Sequence, residues 1–312
     1  MQNYETEAHS RWGNTAHYQP FLKKLEDKMS KPKKPIVAIM YDFDKTLSTK
    51  DMQEYGFIPN IEVSSKQFWG EVEAMKKSEG MDSILAYLRH MLKKASEKGV
   101  PVTRDAFVAL GKDIEYYPGV EDWFERINEY GKENGVTVEH YVISSGIKEI
   151  IEGSSIKKHF KKIYACEFLY DENKVAVWPK LAVNYTNKTQ FLFRINKGVL
   201  DVWDDKNLND YVPEEERRIP FRNMIYIGDG LTDVPCMKLV KANKGQAIAV
   251  FRKRKKEVAA QLISENRVDF ITEADYREGS ELDTIVKTVI EKMSTVEKLV
   301  RLHDKHKKSI SK

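Results

Sequence analysis

The apolar positions of the chain fall into two patterns, short unbroken runs and runs at helical spacing. An unbroken run rich in β-branched residues occupies residues 36–41, and three more candidate strands lie at residues 138–143, 224–227 and 247–250. Such runs are typical of strands that are buried on both faces, as in a parallel sheet. They are separated by helical patterns at residues 120–130, 188–196 and 234–240. Strands that alternate with helices predict an α/β fold with a doubly wound parallel sheet.

The interval between the first two predicted strands departs from this alternation. Its apolar residues recur at helical spacing, as in Ile84, Leu85, Leu88, Met91 and Leu92. The segment Tyr117-Pro118-Gly119 closes the interval with a turn signal. We therefore predict a helical cap at residues 52–117, inserted into a core made of residues 35–51 and 118–278.

Both ends of the chain lie outside this predicted core. Residues 1–34 predict an N-terminal helical arm, and residues 279–312 predict a long helix followed by a basic tail. The first ten residues are polar and unlike a signal peptide, and no apolar run approaches the roughly 20 residues of a membrane-spanning helix. Only two cysteines are present. These features predict a cytoplasmic protein without a membrane partner.

Composition and charge exclude some classes of function. Of the 312 residues, 41% are hydrophobic and 32% are charged, as in soluble globular proteins. The formal net charge of +4 is too small to indicate a nucleic-acid binder. Basic segments at residues 252–256 and 298–312 lack interleaved aromatic residues, so we interpret them as solvated surface. We expect a small-molecule partner and no nucleic acid.

Carboxylates follow two of the predicted strands at the point where each strand ends. Asp42 and Asp44 follow the first strand, and Asp229 and Asp233 follow the strand at residues 224–227. Because open α/β sheets bind ligands at the carboxyl ends of their strands, the four acids can converge in one pocket. Like charges raise each other's pKa, and a hard divalent cation relieves their repulsion. All-oxygen ligands favour Mg²⁺.

Two further pieces of sequence can bind the oxygens of a phosphoryl group. Ser144, Ser145 and Gly146 follow the second strand in a predicted turn that offers a hydroxyl and backbone N–H donors. Either serine hydroxyl can face the pocket, and we favour Ser144 because it ends the strand. Lys188, at a predicted helix start, can neutralise negative charge on the group. Lys180 is the alternative for this role.

These four sequence segments, in this order along the chain, resemble the motifs of the haloacid dehalogenase superfamily, and the resemblance spans about residues 35–275. Its motifs are matched by Asp42 with Asp44, then Ser144, then Lys188, then Asp229 with Asp233. The helical insertion, and a segment at residues 165–183 that reads as a hairpin, resemble the phosphoserine phosphatase branch. The resemblance implies a Rossmann-like core and a Mg²⁺-dependent phosphatase for a small soluble phosphomonoester.

The resemblance also implies a role for each matched residue. Asp42 is the nucleophile that becomes phosphorylated, and Asp44 is the general acid and base. Mg²⁺ is held by the Asp42 carboxylate, the Asp44 backbone carbonyl and Asp229. Asp233 binds the ion through water or orients Lys188. The phosphoryl oxygens are bound by Ser144, Lys188 and backbone N–H groups near Ser145 and Gly146.

Two residues are candidates for contact with the rest of the substrate. Asp51 lies nine residues after Asp42, where phosphoserine phosphatases have a substrate-contacting glutamate. The alternative is an N-capping or solvated acid at the start of the cap. Arg89, on a predicted cap helix, is a candidate contact for a substrate anion, with a solvated surface residue as the alternative. Asp at position 51, and Thr232 where those enzymes commonly have Asn, argue against phosphoserine itself.

Two other functions remain compatible with the sequence. A phosphotransferase or phosphomutase would use the same carboxylates but pass the phosphoryl group to an acceptor other than water. A non-catalytic regulatory protein would keep the pocket for binding a phosphorylated ligand. The presence of both Asp42 and Asp44 argues against a pure binding protein, because binding does not require a general acid.

Overall fold

A computed structural model describes residues 34–310 of the chain. Its centre is a seven-stranded sheet of order β4-β3-β2-β1-β5-β6-β7. The strands are β1 (Ile36–Tyr41), β2 (Thr137–Ile147), β3 (Phe160–Tyr170), β4 (Ala176–Leu181), β5 (Met224–Gly228), β6 (Gln246–Phe251) and β7 (Phe270–Glu273). All neighbours pair in parallel except β3 and β4, which form an antiparallel hairpin. The predicted doubly wound α/β sheet is confirmed.

Helices separate most of the strands along the chain and pack on the sheet. In chain order, the α-helices of the described residues are α1 (Phe57–Asn60), α2 (Ser65–Glu79), α3 (Ser83–Lys98), α4 (Arg104–Leu110), α5 (Val120–Glu133), α6 (Lys148–Glu152), α7 (Lys188–Lys197), α8 (Asp205–Asn209), α9 (Val234–Ala242), α10 (Glu257–Ser264) and α11 (Glu281–Ile310). Helix α5 packs on β2, α9 packs on β5 and β6, and α11 packs on β7 and α5.

The central strands are buried on both faces, which explains their unbroken apolar sequences. Every residue of β1 and of β5 is buried. The Tyr41 hydroxyl accepts a hydrogen bond from Nε1–H of Trp123 at 2.8 Å and forms another with Nδ1 of His140 at 3.0 Å. The other ring nitrogen of His140 lies 3.2 Å from Oδ1 of Asn128. This buried network satisfies its polar groups, so His140 is a core residue.

Two features of the sheet differ from the sequence prediction. Strand β2 continues to Ile147, so the expected turn at Ser144, Ser145 and Gly146 is wrong. Ile143 pairs with Tyr164 of β3 and Ile147 pairs with Cys166, so the pairing register shifts over the residues between them. These residues therefore form a bulge inside the strand, which redirects the chain as a turn would. The short strand β7 was not predicted.

Helices α1 to α4 all lie between β1 and β2, in the interval predicted to be a cap. Helix α2 is capped by the Ser64 side chain and α3 by that of Asp82. Both end at glycines in the left-handed region, Gly80 with φ 63° and Gly99 with φ 65°. These stop signals explain why the insertion divides into short helices. The division of the chain into domains at residues 51, 117 and 278 stays a prediction.

The ends of the chain are described only in part. The predicted N-terminal arm, residues 1–34, lies outside the described residues except for Lys34. Helix α11 runs to Ile310, so the basic residues from Lys298 to Lys308 belong to a helix where we expected a tail. Between residues 34 and 310, no helix combines the length and the apolar character needed to cross a membrane.

Candidate active site

Three carboxylates converge at the carboxyl ends of β1 and β5. Asp42 follows β1, and its backbone N–H donates to the carbonyl of Ile227 in β5 at 2.9 Å. Asp229 follows β5 directly, and Asp233 comes one short helical turn later. Each of the three acids offers a carboxylate oxygen, and these oxygens lie within 4.8 Å of one another. The structure thus brings together three of the four acids that follow the strands.

A buried cation, Lys188, lies among these carboxylates. Its Nζ is 2.8 Å from Oδ1 of Asp233 and 3.2 Å from Oδ1 of Asp42. Burial alone would lower the pKa of Lys188, but the carboxylates of Asp233 and Asp42 outweigh burial and raise it. Lys180, the alternative, is exposed and forms an ion pair with Glu167 at 2.8 Å. The structure therefore brings Lys188 to Asp42 and leaves Lys180 outside.

A closed turn fixes the start of the helix that carries Lys188. The Lys188 N–H donates to the carbonyl of Asn184 at 3.0 Å. The backbone N–H groups of Asn184 and Asn187 each donate to the other's side-chain oxygen at 2.9 Å. Nδ2–H of Asn187 donates to the carbonyl of Ala182 at 2.8 Å. Such side-chain bonds to the backbone hold the turn in one conformation and thus position the lysine.

Asp233 is fully buried, and its carboxylate is hydrogen-bonded. Oδ1 accepts from Nζ of Lys188 and from the Tyr226 hydroxyl, both at 2.8 Å. Oδ2 accepts a longer bond from the Gly230 N–H at 3.4 Å. Tyr226 was not predicted, because a tyrosine inside an apolar strand indicates core packing.

Gly228 leaves the space that the Asp233 carboxylate occupies. A Cβ at this position would lie 2.5 Å from Oδ2 and 2.6 Å from Cγ of Asp233. We expect Gly228→Ala to lower the free energy of unfolding by about 1–3 kcal/mol, since the carboxylate cannot move away without losing its hydrogen bonds. Gly230→Ala is the control, because its Cβ would meet only Thr232, at 3.8 Å or more. Urea unfolding of both variants measures the difference, and equal losses would contradict this account.

Burial and like charges raise the pKa values of the clustered acids. The pKa of Asp42 is raised to about 6, because burial and, less strongly, Asp233 outweigh the lowering effect of Lys188. Burial, then Asp233, then Asp42 raise the pKa of Asp229 well above its usual range. Three acids thus face a single buried cation, and the cluster has an excess of negative charge.

The oxygens of the cluster fit a hard divalent cation. Within residues 34–310, Asp229 has no hydrogen-bond or ion-pair partner, and neither has Oδ2 of Asp42. The three acids offer oxygen ligands only, which suits Mg²⁺. The carboxylate of Asp233 is already engaged by Lys188 and Tyr226. Asp42 and Asp229 therefore have the oxygens that are available to a metal ion.

The side chain of Asp44 is held beside the cluster and is not part of it. Its Oδ1 accepts a hydrogen bond from the Met52 N–H at 2.8 Å. Burial, then Asp51, then Asp42 raise the pKa of Asp44 well above its usual range. Gly146 permits this arrangement, because a Cβ there would lie 2.0 Å from Cε of Met52 and 3.2 Å from Oδ2 of Asp44.

The bulge of β2 brings a serine to the same edge of the sheet. Tyr41 of β1 pairs with Val142, so Ser144 lies beside the segment that follows β1. Ser144 is buried, and its Oγ accepts a hydrogen bond from the Gly146 N–H at 3.0 Å. Ser145 is half-buried, and its carbonyl accepts from the Tyr87 hydroxyl of α3 at 3.0 Å. One serine thus offers a hydroxyl, and the other joins the bulge to the inserted helices.

Asp51 lies near the site. Its Oδ2 forms an ion pair with Nζ of Lys45 at 2.6 Å, and it acts on the pKa of Asp44. Asp51 precedes a short 3-10 helix, but its side chain makes no capping hydrogen bond. The alternative role as an N-cap side chain is therefore wrong.

The structure does not bring Arg89 to the carboxylates. Arg89 is exposed and lines a groove of about 420 Å³ with Leu85, Trp178 and other residues, none of which belongs to the acidic cluster. Among the described residues it has no hydrogen-bond or ion-pair partner. The structure thus supports its alternative description as a surface arginine.

Known proteins match this chain in sequence and in fold. A family model described as haloacid dehalogenase-like hydrolase matches residues 39–238. An uncharacterized protein of Borreliella burgdorferi is 33% identical over 275 residues, which cover 79% of this chain and 94% of that protein. The family match spans the acid cluster, Lys188 and the helices inserted after β1.

Solved structures share the fold at low sequence identity. A HAD family hydrolase from Salmonella enterica serovar Typhi aligns with a TM-score of 0.52 and 15% identity, over 89% of this chain and 81% of that one. A probable phosphoserine phosphatase from Vibrio cholerae aligns with a TM-score of 0.50 and 14% identity, over 91% of this chain and 75% of that one. At sequence identities this low, the two alignments show a similar fold and nothing more.

Proposed function

This chain belongs to the haloacid dehalogenase-like hydrolases, and from that premise we propose that it is a Mg²⁺-dependent phosphomonoesterase that is transiently phosphorylated on Asp42. One observation carries the proposal: Asp42 meets Asp229, Asp233 and the buried Lys188 at the strand ends, while Asp44 is held apart. This reaction requires a nucleophilic carboxylate beside a cation site and a second carboxyl group that exchanges protons.

In the first half of the proposed reaction, a carboxylate oxygen of Asp42 attacks the phosphorus atom. The bond between phosphorus and the ester oxygen breaks, and the carboxyl of Asp44 donates its proton to the departing oxygen. The products are a free alcohol and a phosphorylated Asp42. Asp44 suits its role because the Met52 N–H holds one of its oxygens at 2.8 Å.

In the second half, water attacks the phosphorus atom of the aspartyl-phosphate. Asp44, now ionised, takes a proton from this water, and the bond between phosphorus and the Asp42 oxygen breaks. Inorganic phosphate leaves, and both carboxyl groups return to their starting states. We assign Lys188, Ser144 and the N–H groups near Gly146 to the phosphoryl oxygens, whose negative charge they stabilise.

We assign the metal to the Asp42 carboxylate, the Asp44 backbone carbonyl and Asp229. The hydrogen bonds of Asp233 to Lys188 and Tyr226 favour an orienting role for this acid over direct ligation. When bound, Mg²⁺ supplies electrostatic stabilisation of the charge on the transferring group.

We propose that the substrate is a small soluble phosphomonoester. Helix α3 reaches the site at two points, through Tyr87 and Ser145 and through Asp82, which accepts from Nδ2–H of Asn184 at 3.2 Å. Helices in this position restrict the access of bulk water and of large substrates to a phosphorylated aspartate.

Removal of divalent cations is expected to abolish turnover. Without a counter-cation the acids around Asp42 repel one another and the phosphate, so phosphate release from p-nitrophenyl phosphate should fall to background after EDTA treatment and dialysis. Added Mg²⁺ should restore it and, because it binds the native state, should also raise the melting temperature. Turnover that persists after dialysis against EDTA would refute the proposed site.

Product analysis distinguishes hydrolysis from phosphoryl transfer. A phosphatase releases one inorganic phosphate for each alcohol formed. A phosphotransferase or phosphomutase leaves phosphate esterified to an acceptor, so free phosphate would fall short of the alcohol. Equal amounts of the two products support the proposed hydrolase.

A further inference from the structure

Five consecutive basic residues, 252–256, follow β6 at the edge of the sheet that carries the acids. All five side chains are exposed. Within the part of the chain that the structure describes, none of them forms an ion pair or a side-chain hydrogen bond. Unpaired positive charges create a positive potential at the surface, so a run of unpaired cations beside an active site attracts anions.

Two of the five line a cavity that adjoins the acid cluster. This cavity, of about 190 Å³, is lined by Lys45, Tyr117, Asp229, Arg252 and Lys255 together with Thr49 and four apolar residues, and we call it the cationic cavity. Asp229 belongs both to the cavity wall and to the carboxylate cluster. The cavity is therefore close enough to the phosphoryl position beside Asp42 for one small ligand to occupy both.

The charges around the cationic cavity are unbalanced. Its wall has three cations and one acid. Lys45 is already paired with Asp51 at 2.6 Å, whereas Arg252 and Lys255 have no such partner among residues 34–310. The space is ample for a phosphate group, since one water molecule needs only about 10–15 Å³. Arginine is well suited to the group because its planar guanidinium binds two phosphate oxygens at once.

Tyr117 lies in the wall of the same cavity as Arg252 and Asp229. Burial raises the pKa of the Tyr117 hydroxyl, Asp229 raises it further, and Arg252 lowers it. Arg252 and Asp229 thus act on the same hydroxyl from the same cavity. A group held by Arg252 lies close to an acid of the catalytic edge.

We propose that the cationic cavity binds a second phosphate of the substrate through Arg252 and Lys255, so that the enzyme prefers small bisphosphates to monophosphates. This inference rests on the proposed phosphatase function and adds a substrate class to it. One phosphate occupies the position beside Asp42 and is hydrolysed, and the other stays bound in the cavity. Lys253, Arg254 and Lys256 do not line the cavity and take no part.

The loop itself offers a matched control. Arg252→Gln/Lys255→Gln and Lys253→Gln/Arg254→Gln each remove one arginine and one lysine from the same exposed segment. The two double variants therefore change the net charge equally, and only the first changes the wall of the cationic cavity. Thermal unfolding of both verifies that they fold.

The substrates are the monophosphates and bisphosphates of a short series of α,ω-alkanediols, whose two ends are chemically equivalent. The measured quantity is the ratio of kcat/KM for bisphosphate to kcat/KM for monophosphate, which cancels effects on the shared chemistry. For the unsubstituted enzyme, we expect the largest ratio in the series to be on the order of tenfold to a hundredfold, because hydrogen bonds to charged groups contribute free energies of that size. Arg252→Gln/Lys255→Gln should lower this ratio to the statistical value, which is the value expected because a bisphosphate has two equivalent phosphates and a monophosphate has one. Lys253→Gln/Arg254→Gln should leave the ratio unchanged.

Each other outcome has a definite meaning. If neither monophosphates nor bisphosphates are hydrolysed, the proposed function itself fails. If monophosphates are hydrolysed at the statistical ratio, or if both double variants lower the ratio equally, only the cationic cavity is refuted. A 5′-phosphorylated oligonucleotide that outperforms every bisphosphate, and depends equally on both residue pairs, would also overturn it in favour of a surface for a phosphate backbone.

Discussion

Asp42→Asn is expected to abolish turnover of every phosphomonoester. The amide keeps the shape of the side chain but cannot attack phosphorus, and it removes one anionic ligand from the cluster with Asp229 and Asp233. The loss in kcat should be on the order of 10⁶-fold, as found when a hydrolase loses its nucleophile. The measurement is release of phosphate from p-nitrophenyl phosphate and from an alkyl phosphate, with intact-protein mass spectrometry to detect the phosphorylated enzyme.

The same experiment needs a control and a second readout. Asp113→Asn removes an exposed acid whose side chain forms no hydrogen bond or ion pair within residues 34–310, so it should retain full activity. Trifluoroberyllate, which mimics a phosphoryl group on a carboxylate, should bind the unsubstituted protein and not Asp42→Asn. Unchanged rates in Asp42→Asn, or a phosphoryl label that maps to a serine or a cysteine, would refute the mechanism.

The strands and the acids at their ends could be predicted because burial leaves a clear sequence pattern. Strands such as β1 and β5 are covered on both faces, so they appear as unbroken apolar runs. An acid placed directly after such a run, as Asp42 and Asp229 are, lies at the ligand-binding edge of the sheet. The predicted family follows from the same motifs, and the family match confirms it.

Other features depend on long-range packing that local patterns do not contain. The extension of β2 through Gly146 requires the neighbouring β3, and the sequence Ser-Ser-Gly is typical of a turn. The choice between Lys180 and Lys188 depends on the direction in which each side chain points, and only one of them reaches Asp42.

The position of the basic segment after β6 also depends on long-range packing that its sequence does not contain. Its charge pattern suits a solvated surface, and only the sheet topology brings Arg252 to the same cavity as Asp229. Arg89 is the opposite case, because its position on a cap helix suggested a substrate contact and the structure has it in a separate groove. A residue type and its helix face do not determine which cavity the side chain enters.

Asp44→Asn is expected to slow turnover in a way that depends on the leaving group. The asparagine side-chain oxygen can still accept the hydrogen bond from the Met52 N–H, so the local structure should persist. Because the proposed metal contact at this position is a backbone carbonyl, Mg²⁺ should still raise the melting temperature. The variant has lost the proton donor, and positioned acid–base catalysis contributes typically about 10²–10⁴-fold.

The size of the loss should therefore follow the basicity of the departing oxygen. An alkoxide requires protonation as it leaves, so an alkyl phosphate should suffer the full loss, whereas p-nitrophenolate is a stable anion and its ester should lose less. Hydrolysis of the intermediate also requires Asp44 as a base, so phosphorylated Asp42 should accumulate and be visible by intact-protein mass spectrometry. Equal losses for both esters, with no accumulated intermediate, would show that Asp44 does not transfer the proton. A parallel loss of the Mg²⁺-induced stabilisation would instead assign the Asp44 carboxylate to the metal.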